Sequence, residues 1–192
     1  DRPLPPPVVG EWSEHHATDV RYPLDANSWR GRIAPHLNQR ARAAYFGYLS
    51  FLDAQVGRLM DFIGRGGMGG NTMIAFTADH GEMLGDHNLW RKTYAYEPSA
   101  RIPFIVVPPR PVAGPRNVES DALVGWEDLM PTFLEAAGVA IPDTVEGRSL
   151  MPLLRGETPE WRDWYHHEHG PCYAKDNAYQ CLTSHEWKYI WN

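Results

Sequence analysis

Cysteine is scarce in this sequence, which contains only Cys172 and Cys181 among 192 residues. Their spacing matches none of the ligand patterns of structural zinc sites, in which closely spaced pairs such as C-x2-C recur. A local disulfide in an exported protein and two separate thiols are both compatible with the pair. The cysteines therefore exclude a zinc-finger type of site and leave the cellular compartment open.

Long apolar runs and clusters of basic residues are also missing. A membrane-spanning helix needs about 20 consecutive apolar residues, and no run in this sequence approaches that length. Lys and Arg number 18 against 24 Asp and Glu, which gives a net charge of −6, and no basic patch could follow a phosphate backbone. We therefore expect no membrane-spanning segment and no nucleic-acid partner, so any bound anion must be held locally by a metal ion or a few cations.

The first residues lack the features of a gene start and of a secretory signal. No Met stands at position 1, and the opening DRPLPPPVVG is rich in proline, unlike the charged and then apolar pattern of a signal peptide. The sequence is therefore expected to begin inside a longer polypeptide. Scattered prolines in residues 1–35 predict an extended surface segment instead of a helix or a paired strand.

Beyond this segment, the pattern of apolar residues predicts alternating helices and strands. From Pro35 to Ile63, apolar residues recur at mixed spacings of three and four and predict a long amphipathic helix. Apolar runs at 72–77 and 102–107 have the length of buried strands and flank a polar loop over 78–97. Residues 126–137 predict a further helix that Gly138 ends. This order is typical of an α/β fold in which helices flank a sheet.

The last part of the sequence is rich in aromatic residues and forms a second predicted region. Short alternating runs such as 187–191 predict antiparallel strands. We therefore divide the chain at 1–158, an α/β body, and 159–192, the start of a small antiparallel subdomain. The acidic and histidine-rich stretch 166–169 resembles a metal site, but adjacent side chains on a strand point to opposite faces. At most two of these side chains could share one ion, which favours a pocket lining or an exposed surface.

Asp79 and His80 are the candidate metal ligands because they directly follow a predicted buried strand. Open α/β sheets bind their ligands at the carboxyl ends of the strands. A carboxylate and an imidazole at one strand end can turn toward a single cation, and Gly81 lets the chain bend away. The alternative interpretation of this triplet is a turn with a capped helix start. Glu82, which comes next, could serve as an acid or base, but a carboxylate in the first turn of a following helix more often interacts with the helix dipole, and we predict that role.

Lys92 and His87 are candidates for binding the substrate. An ammonium group near a divalent cation is repelled by it, so a lysine is tolerated there chiefly when an anionic substrate lies between the two. We therefore assign Lys92 to the oxygens of an anionic ester; the alternative is a solvated surface lysine. His87, in a Gly-Asp-His run, could approach the same site or could hold the loop by hydrogen bonds.

Three stretches resemble the type I sulfatases, arylsulfatase-like members of the alkaline phosphatase superfamily. The run from Tyr48 to Pro109 contains a strand, Asp-His-Gly-Glu, Gly-Asp-His, Trp-x-Lys and Arg-x-Pro in the order found in the second half of the sulfatase catalytic domain. WEDLMPTFLEAAG at Trp126–Gly138 and EGRSL at 146–150 are similar to the helix and turn that follow. The part from Tyr165 to Trp191 resembles the small antiparallel C-terminal subdomain of that family, whose main body is a mixed sheet flanked by helices.

The resemblance implies hydrolysis of sulfate monoesters with a calcium ion, for which Asp79 and His80 stand at two ligand positions and Lys92 at the position of the catalytic lysine. The family's nucleophile is a formylglycine made from the Cys or Ser of a C/S-x-P-x-R motif. No such motif occurs in this sequence, so the nucleophile is expected upstream and this chain alone is expected to be inactive.

Other functions remain compatible with the same residues. A phosphodiester or phosphonate monoester hydrolase of the same superfamily would use the same Asp-His and lysine layout, and a non-catalytic module could keep only the scaffold. The expected partner is a sulfated small molecule or a sulfated carbohydrate. The resemblance is compatible with a periplasmic, secreted or lysosomal protein and leaves the oligomeric state open.

Overall fold

The chain forms two compact units in a computed structural model that describes residues 4–8, 28–30, 33–171 and 178–191. The first unit comprises Asp1–Ile63 and Thr77–Phe104, and the second comprises Gly64–Phe76 and Ile105–Asn192. The sequence-based division at residues 158 and 159 stays a prediction.

Helix α1, Pro35–Arg65, is the longest element of the first unit. Proline suits the first helical position because its fixed φ matches the helix and its missing N–H has no partner to lose. The carbonyl of Ala34 accepts the N–H groups of Leu37 and Asn38 in the first turn, and a left-handed Gly67 follows the helix. The predicted helix is confirmed. Neither α1 nor any other helix in the described ranges is long and apolar enough to cross a membrane.

Two short strands of the first unit were not foreseen in the sequence. Strand β1, Ser28–Arg30, pairs antiparallel with β3, Leu89–Arg91, so that Trp29 lies opposite Trp90. The prediction of no paired strand in residues 1–35 is therefore wrong at β1, and the prediction of a loop through 78–97 is wrong at β3. Three residues are too few to show an alternating pattern, and the pairing depends on a partner far away in the sequence.

The two predicted apolar strands form a sheet of their own. Strands β2, Ile74–Thr77, and β4, Phe104–Val107, pair in a two-stranded sheet. A short helix, α2, Glu97–Ala100, lies between β3 and β4 in the chain. Half-buried and exposed side chains alternate along β4, with Ile105 55% exposed. The strands are thus confirmed, but the expected burial on both faces is not found.

Two helices of the second unit pack through a shared polar contact. Residues Trp126–Asp128 form one turn of 3-10 helix that leads into α3, Leu129–Ala136, and α4 is Met151–Leu154. The hydroxyl of Thr132 on α3, which is 1% exposed, accepts the N–H of Leu150 at the start of α4 at 2.8 Å. The helix predicted at 126–137 is confirmed.

Three antiparallel strands close the second unit, in the order β5–β6–β7. They are β5, Tyr165–His169, β6, Tyr179–Thr183, and β7, Lys188–Trp191. Cys181 of the central strand lies opposite His167 and is fully buried. The predicted small antiparallel C-terminal sheet is confirmed. Cys172, and with it the question of a Cys172–Cys181 disulfide, lies outside the described residues.

Candidate functional site

The chain leaves β2 at Thr77 and brings Asp79 and His80 into direct contact. The backbone N–H of His80 donates a hydrogen bond to Oδ1 of Asp79 at 3.0 Å. The other carboxylate oxygen, Oδ2, lies 3.3 Å from Nε2 of the imidazole. The side chain of Asp79 is 76% exposed and that of His80 is 37% exposed. Both groups can therefore accept further partners.

Lys92 joins this pair from the end of β3. Its Nζ atom lies 2.9 Å from Nε2 of His80, although twelve residues separate the two in the sequence. The structure therefore brings together three of the four residues that the sequence singled out. We call Asp79, His80 and Lys92 the polar triad.

The hydrogen bonds of His80 determine which ring nitrogen is available. Nδ1 lies 2.8 Å from the carbonyl oxygen of Gly81, and a carbonyl only accepts, so Nδ1 carries the hydrogen. An ammonium only donates, so the contact with Lys92 requires the lone pair on Nε2. Metal-binding histidines show this arrangement, with one ring N–H on a backbone carbonyl and the other nitrogen free to coordinate.

Gly81 shapes the bend after the pair. Its N–H donates to the carbonyl of Ser99 at 2.8 Å, and a Cβ placed on Gly81 would lie 2.0 Å from the carbonyl oxygen of Pro98. Only glycine allows this approach of the two backbones. The glycine of the Asp-His-Gly triplet is thus required for close packing, and its φ lies outside the left-handed region.

Glu82 has a different role from the one predicted. Its Oε1 accepts the N–H of Leu84 at 3.1 Å and also the N–H of Arg91. The next helical turn in the described chain is the short 3-10 helix Asp86–Asn88, so the predicted interaction with a helix dipole is wrong. The carboxylate instead joins the two ends of the loop, and Arg91 directly precedes Lys92. This contact is non-local and gives no periodic signal in the sequence.

Arg42 of α1 also binds the loop between β2 and β3, and the sequence analysis did not identify this residue. The residue is 8% exposed, and its guanidinium donates to the carbonyl oxygens of Leu84 at 2.7 Å and of Pro5 at 3.1 Å. A carboxylate oxygen of Asp86 lies 3.8 Å away. Arg42 is the one buried residue of α1, a helix that the structure describes throughout, and because its partners are distant in the sequence, no local pattern could have identified it.

His87 is held by the backbone and by an aromatic ring. Its N–H donates to the carbonyl of Val8 at 2.8 Å, and its ring centroid lies 4.9 Å from that of Tyr96. Its φ of 55° is left-handed. These contacts support the structural alternative, and a role of His87 in substrate binding stays a prediction.

The histidines of β5 point alternately to the two faces of the strand, as predicted. His166 and Glu168 share one face, where Gln180 lies 2.5 Å from His166 and 2.7 Å from Glu168. The other face carries His169, whose ring stacks on Tyr179 at 5.6 Å between centroids. In the parts of the chain that the structure describes, no group of three or more His, Cys, Asp or Glu side chains could hold a metal ion.

The second stretch that resembles sulfatases has Asp128 at its centre. This carboxylate is fully buried and accepts the N–H groups of Gly125 at 2.9 Å and Arg148 at 2.8 Å. Arg162 binds both of its oxygens, at 3.0 and 2.6 Å. A buried charge with a bidentate cation and two backbone donors is fully satisfied. Asp128 therefore fixes the fold of the second unit.

The fit of the polar triad to a divalent cation follows from its donor atoms. Oδ2 of Asp79 is a hard, charged oxygen of the kind calcium prefers, and Nε2 of His80 is a neutral nitrogen in the coordinating tautomer. Two donors are fewer than the six to eight that calcium takes. The pair therefore fits part of a cation site whose other ligands lie outside the triad.

Comparison with known proteins identifies the fold and the family. A solved phosphonate monoester hydrolase from Silicibacter pomeroyi superimposes with a TM-score of 0.80 at 27% identity, covering 98% of this chain and 42% of the hydrolase. A second solved structure, in complex with its substrate D-glucosamine-2-N,6-O-disulfate, has a TM-score of 0.65 at 31% identity, with coverage of 72% and 28%. The α/β fold is that of the alkaline phosphatase superfamily.

Sequence relatives identify the family of the chain within this superfamily. The family model described as N-sulphoglucosamine sulphohydrolase, C-terminal, matches residues 85–191. An arylsulfatase of Clostridium perfringens is 36% identical over 192 residues, which is 100% of this chain and 39% of the arylsulfatase. The chain belongs to the sulfatase family that this C-terminal model defines, a family of sulfuric ester hydrolases. It spans about two fifths of the length of that arylsulfatase.

Proposed function

We propose that this chain forms one side of the active site of an enzyme that hydrolyses sulfate monoesters. The observation that carries the proposal is the polar triad, in which the Lys92 ammonium and the Asp79 carboxylate meet at one imidazole, with 2.9 Å from Nζ and 3.3 Å from Oδ2 to Nε2 of His80. The membership of a sulfatase family supports it.

In this proposal Asp79 and His80 hold a calcium ion through Oδ2 and Nε2. When bound, the cation would withdraw charge from the ester oxygens and lower the barrier to attack on sulfur. Lys92 neutralises the sulfuryl oxygens by charge-assisted hydrogen bonds. Glu82 and Arg42 position the loop that carries these residues by binding its backbone.

The attacking group is proposed to be a formylglycine outside these 192 residues, because no C/S-x-P-x-R motif occurs among them. The chain therefore supplies cation and anion binding without the nucleophile. On its own it is expected to leave the ester intact.

A sulfated sugar is the proposed class of substrate. Support comes from the solved neighbour bound to D-glucosamine-2-N,6-O-disulfate and from a related N-acetylglucosamine-6-O-sulfatase of Bacteroides thetaiotaomicron. Phosphonate monoester hydrolysis is the alternative, and the match to the Silicibacter pomeroyi hydrolase supports it. Both reactions place an anionic ester against a cation and a lysine, so the triad serves either.

The test measures hydrolysis of p-nitrophenyl sulfate and of a p-nitrophenyl phosphonate ester by the full-length protein. We expect the sulfate to be the better substrate and Lys92→Ala to lower kcat/KM for it by roughly 100- to 1,000-fold, the effect of removing one donor to developing charge. His80→Ala should cause a similar loss. Lys188→Ala removes a lysine that the proposal does not use and should leave kcat/KM unchanged.

Three results would contradict parts of the proposal. A loss of less than threefold in Lys92→Ala would remove Lys92 from the reaction. Preference for the phosphonate ester would favour the alternative. Turnover by the 192-residue chain alone would show that its nucleophile lies within these residues.

A further inference from the structure

The contact between Lys92 and His80 affects metal binding as well as the proposed catalysis. His80 is the neutral tautomer whose Nε2 lone pair accepts from the Lys92 ammonium, because Nδ1 already donates to the carbonyl of Gly81. An imidazole nitrogen has a single lone pair. Nε2 can therefore accept a hydrogen bond from Lys92 or coordinate a metal ion, and it cannot do both.

The position of Asp79 adds a reason for a positive charge to lie beside Nε2 of His80. Its Oδ2 lies 3.3 Å from Nε2 of His80, and with this tautomer both atoms are acceptors. Two electron-rich atoms at that distance repel unless a positive charge lies beside them. The positive charge that the structure places there is the Lys92 ammonium, 2.9 Å from Nε2.

We propose that the Lys92 ammonium takes the place of the divalent cation on His80, and that cation binding releases Lys92 toward the ester oxygens. This inference rests on the proposed cation site at Asp79 and His80. Coordination by Nε2 breaks the bond to Lys92, and the repulsion between two cations moves the ammonium away. Lys92 then becomes available for an anion only after the cation is in place.

The coupling also acts in the opposite direction. An anion that holds Lys92 away from His80 removes the competitor for the Nε2 lone pair. Because coupling between two binding sites is reciprocal, the anion must raise the affinity for the cation by the factor by which the cation raises the affinity for the anion. Cation and ester would thus bind cooperatively, and the site would assemble in full only when both are present.

The first experiment measures calcium affinity by titration calorimetry on the full-length protein, which contains the ligands outside the triad, and on its Lys92→Met variant. Methionine keeps the length of the side chain and removes the donor. We expect the Kd for calcium to fall roughly three- to tenfold in Lys92→Met, which is the effect of losing one competing hydrogen bond. Methyl sulfate should lower the Kd of the unaltered protein and leave that of Lys92→Met unchanged. Lys188→Met is the matched control and should behave like the unaltered protein.

The second experiment observes the hydrogen bond itself by NMR. The 192 residues include three lysines, Lys92, Lys175 and Lys188. Labelling of lysine and histidine with ¹⁵N in the full-length protein makes both kinds of side chain observable, and Lys92→Met assigns the Lys92 signal. We expect calcium to shift the Lys92 Nζ signal and the His80 Nε2 signal together. In the calcium-free state, Lys92→Met should already shift Nε2 of His80. A His80 Nε2 signal that does not move in Lys92→Met would contradict the hydrogen bond.

The outcomes separate this inference from the proposed function. If calcium shifts the His80 signal but leaves the Lys92 signal and the Kd of Lys92→Met unchanged, the coupling is wrong and the cation site stands. If calcium shifts neither residue in the unaltered protein and in Lys92→Met, both the cation site and the coupling are wrong. Circular dichroism of each variant establishes that the comparison is between folded proteins.

Discussion

Tyrosines of the second unit carry a pH dependence that is independent of the polar triad. Burial, and to a lesser degree the charge of Cys181, raises the pKa of the Tyr179 phenol to about 12. Burial also raises the pKa of Tyr165 far above its ordinary value, and its hydrogen bond to Glu127, at 2.6 Å, acts in the same direction. Both phenols belong to the antiparallel sheet, so their ionisation affects the stability of that sheet.

The raised pKa of Tyr179 predicts a loss of stability in alkali. The unfolded chain releases this proton near pH 10.0 and the folded chain near pH 12. The contribution of Tyr179 is therefore complete below pH 10 and is lost as the pH rises through that interval. In Tyr179→Phe, the free energy of unfolding measured by urea denaturation should fall less steeply between pH 10 and 12.

Tyr189→Phe is the control for this experiment, because Tyr189 is 63% exposed on the neighbouring strand β7. Its unfolding curve should keep the alkaline slope of the unaltered chain. Equal slopes in Tyr179→Phe and in the unaltered chain would show that burial of Tyr179 does not control alkaline stability. Some slope should remain in Tyr179→Phe because Tyr165 titrates in the same direction.

At the scale of elements, a glycine that follows one helix and a glycine inside another have opposite effects on stability. Gly138 follows α3 with φ of 69°, its N–H donates to the carbonyl of Glu135, and the N–H of Val139 donates to that of Leu134. These two bonds form a Schellman motif, which needs a left-handed residue after the helix. Gly57 lies inside α1, where its backbone is helical and a Cβ added to it would meet nothing within 4 Å apart from its chain neighbours and the adjacent helix backbone.

Substitution by alanine should therefore change stability in opposite directions at the two sites. Gly138→Ala should destabilise the chain by about 1 kcal/mol because a Cβ disfavours the left-handed conformation. Gly57→Ala should stabilise it by about 0.5–1 kcal/mol because alanine loses less backbone entropy in a helix. Thermal unfolding followed by circular dichroism measures both, and a shift of the same sign for the two variants would contradict the assignment.

Elements with a local signal were predictable from the sequence, and elements that depend on a distant partner were not. The periodicity of α1 and the glycine after α3 defined both helices correctly. Strands β1 and β3 were missed because each has three residues and is stabilised only by pairing with the other. Long-range pairing has no counterpart in a short sequence window.

The candidate site also contains residues that could be predicted from the sequence and residues that could not. Asp79 and His80 were predicted as ligands because open sheets bind ligands at strand ends, and this role stays a prediction. The structure places Lys92 against His80. The contacts of Glu82 with Arg91 and of Arg42 with Leu84 join segments that meet only after folding. These supporting residues could not be found from residue types and spacing.

At the scale of the whole molecule, α1 presents an exposed apolar stripe. Large side chains that are at least 38% exposed recur along one face of the helix at helical spacing: Tyr48, Phe51, Leu52, Leu59 and Phe62. The rings of Tyr48 and Phe51 stack with 6.4 Å between centroids. Contiguous apolar patches of this kind are uncommon on monomeric proteins and promote association, which a net charge of −6 opposes only in part.

This stripe predicts that the 192-residue chain binds a hydrophobic dye and associates as its concentration rises. Phe51 and Phe62 are 59% and 65% exposed, and lysine is a good helix former, so Phe51→Lys combined with Phe62→Lys should keep α1 helical. We expect the double variant to lower the fluorescence of bound 8-anilinonaphthalene-1-sulfonate and to reduce the mean mass found by sedimentation equilibrium. Val118→Lys changes an equally exposed apolar residue outside α1, at 63%, and should alter neither quantity. Each added lysine brings the net charge of −6 closer to zero and by itself favours association. A decrease of the same size in Val118→Lys would therefore contradict the assignment of the effect to the apolar stripe.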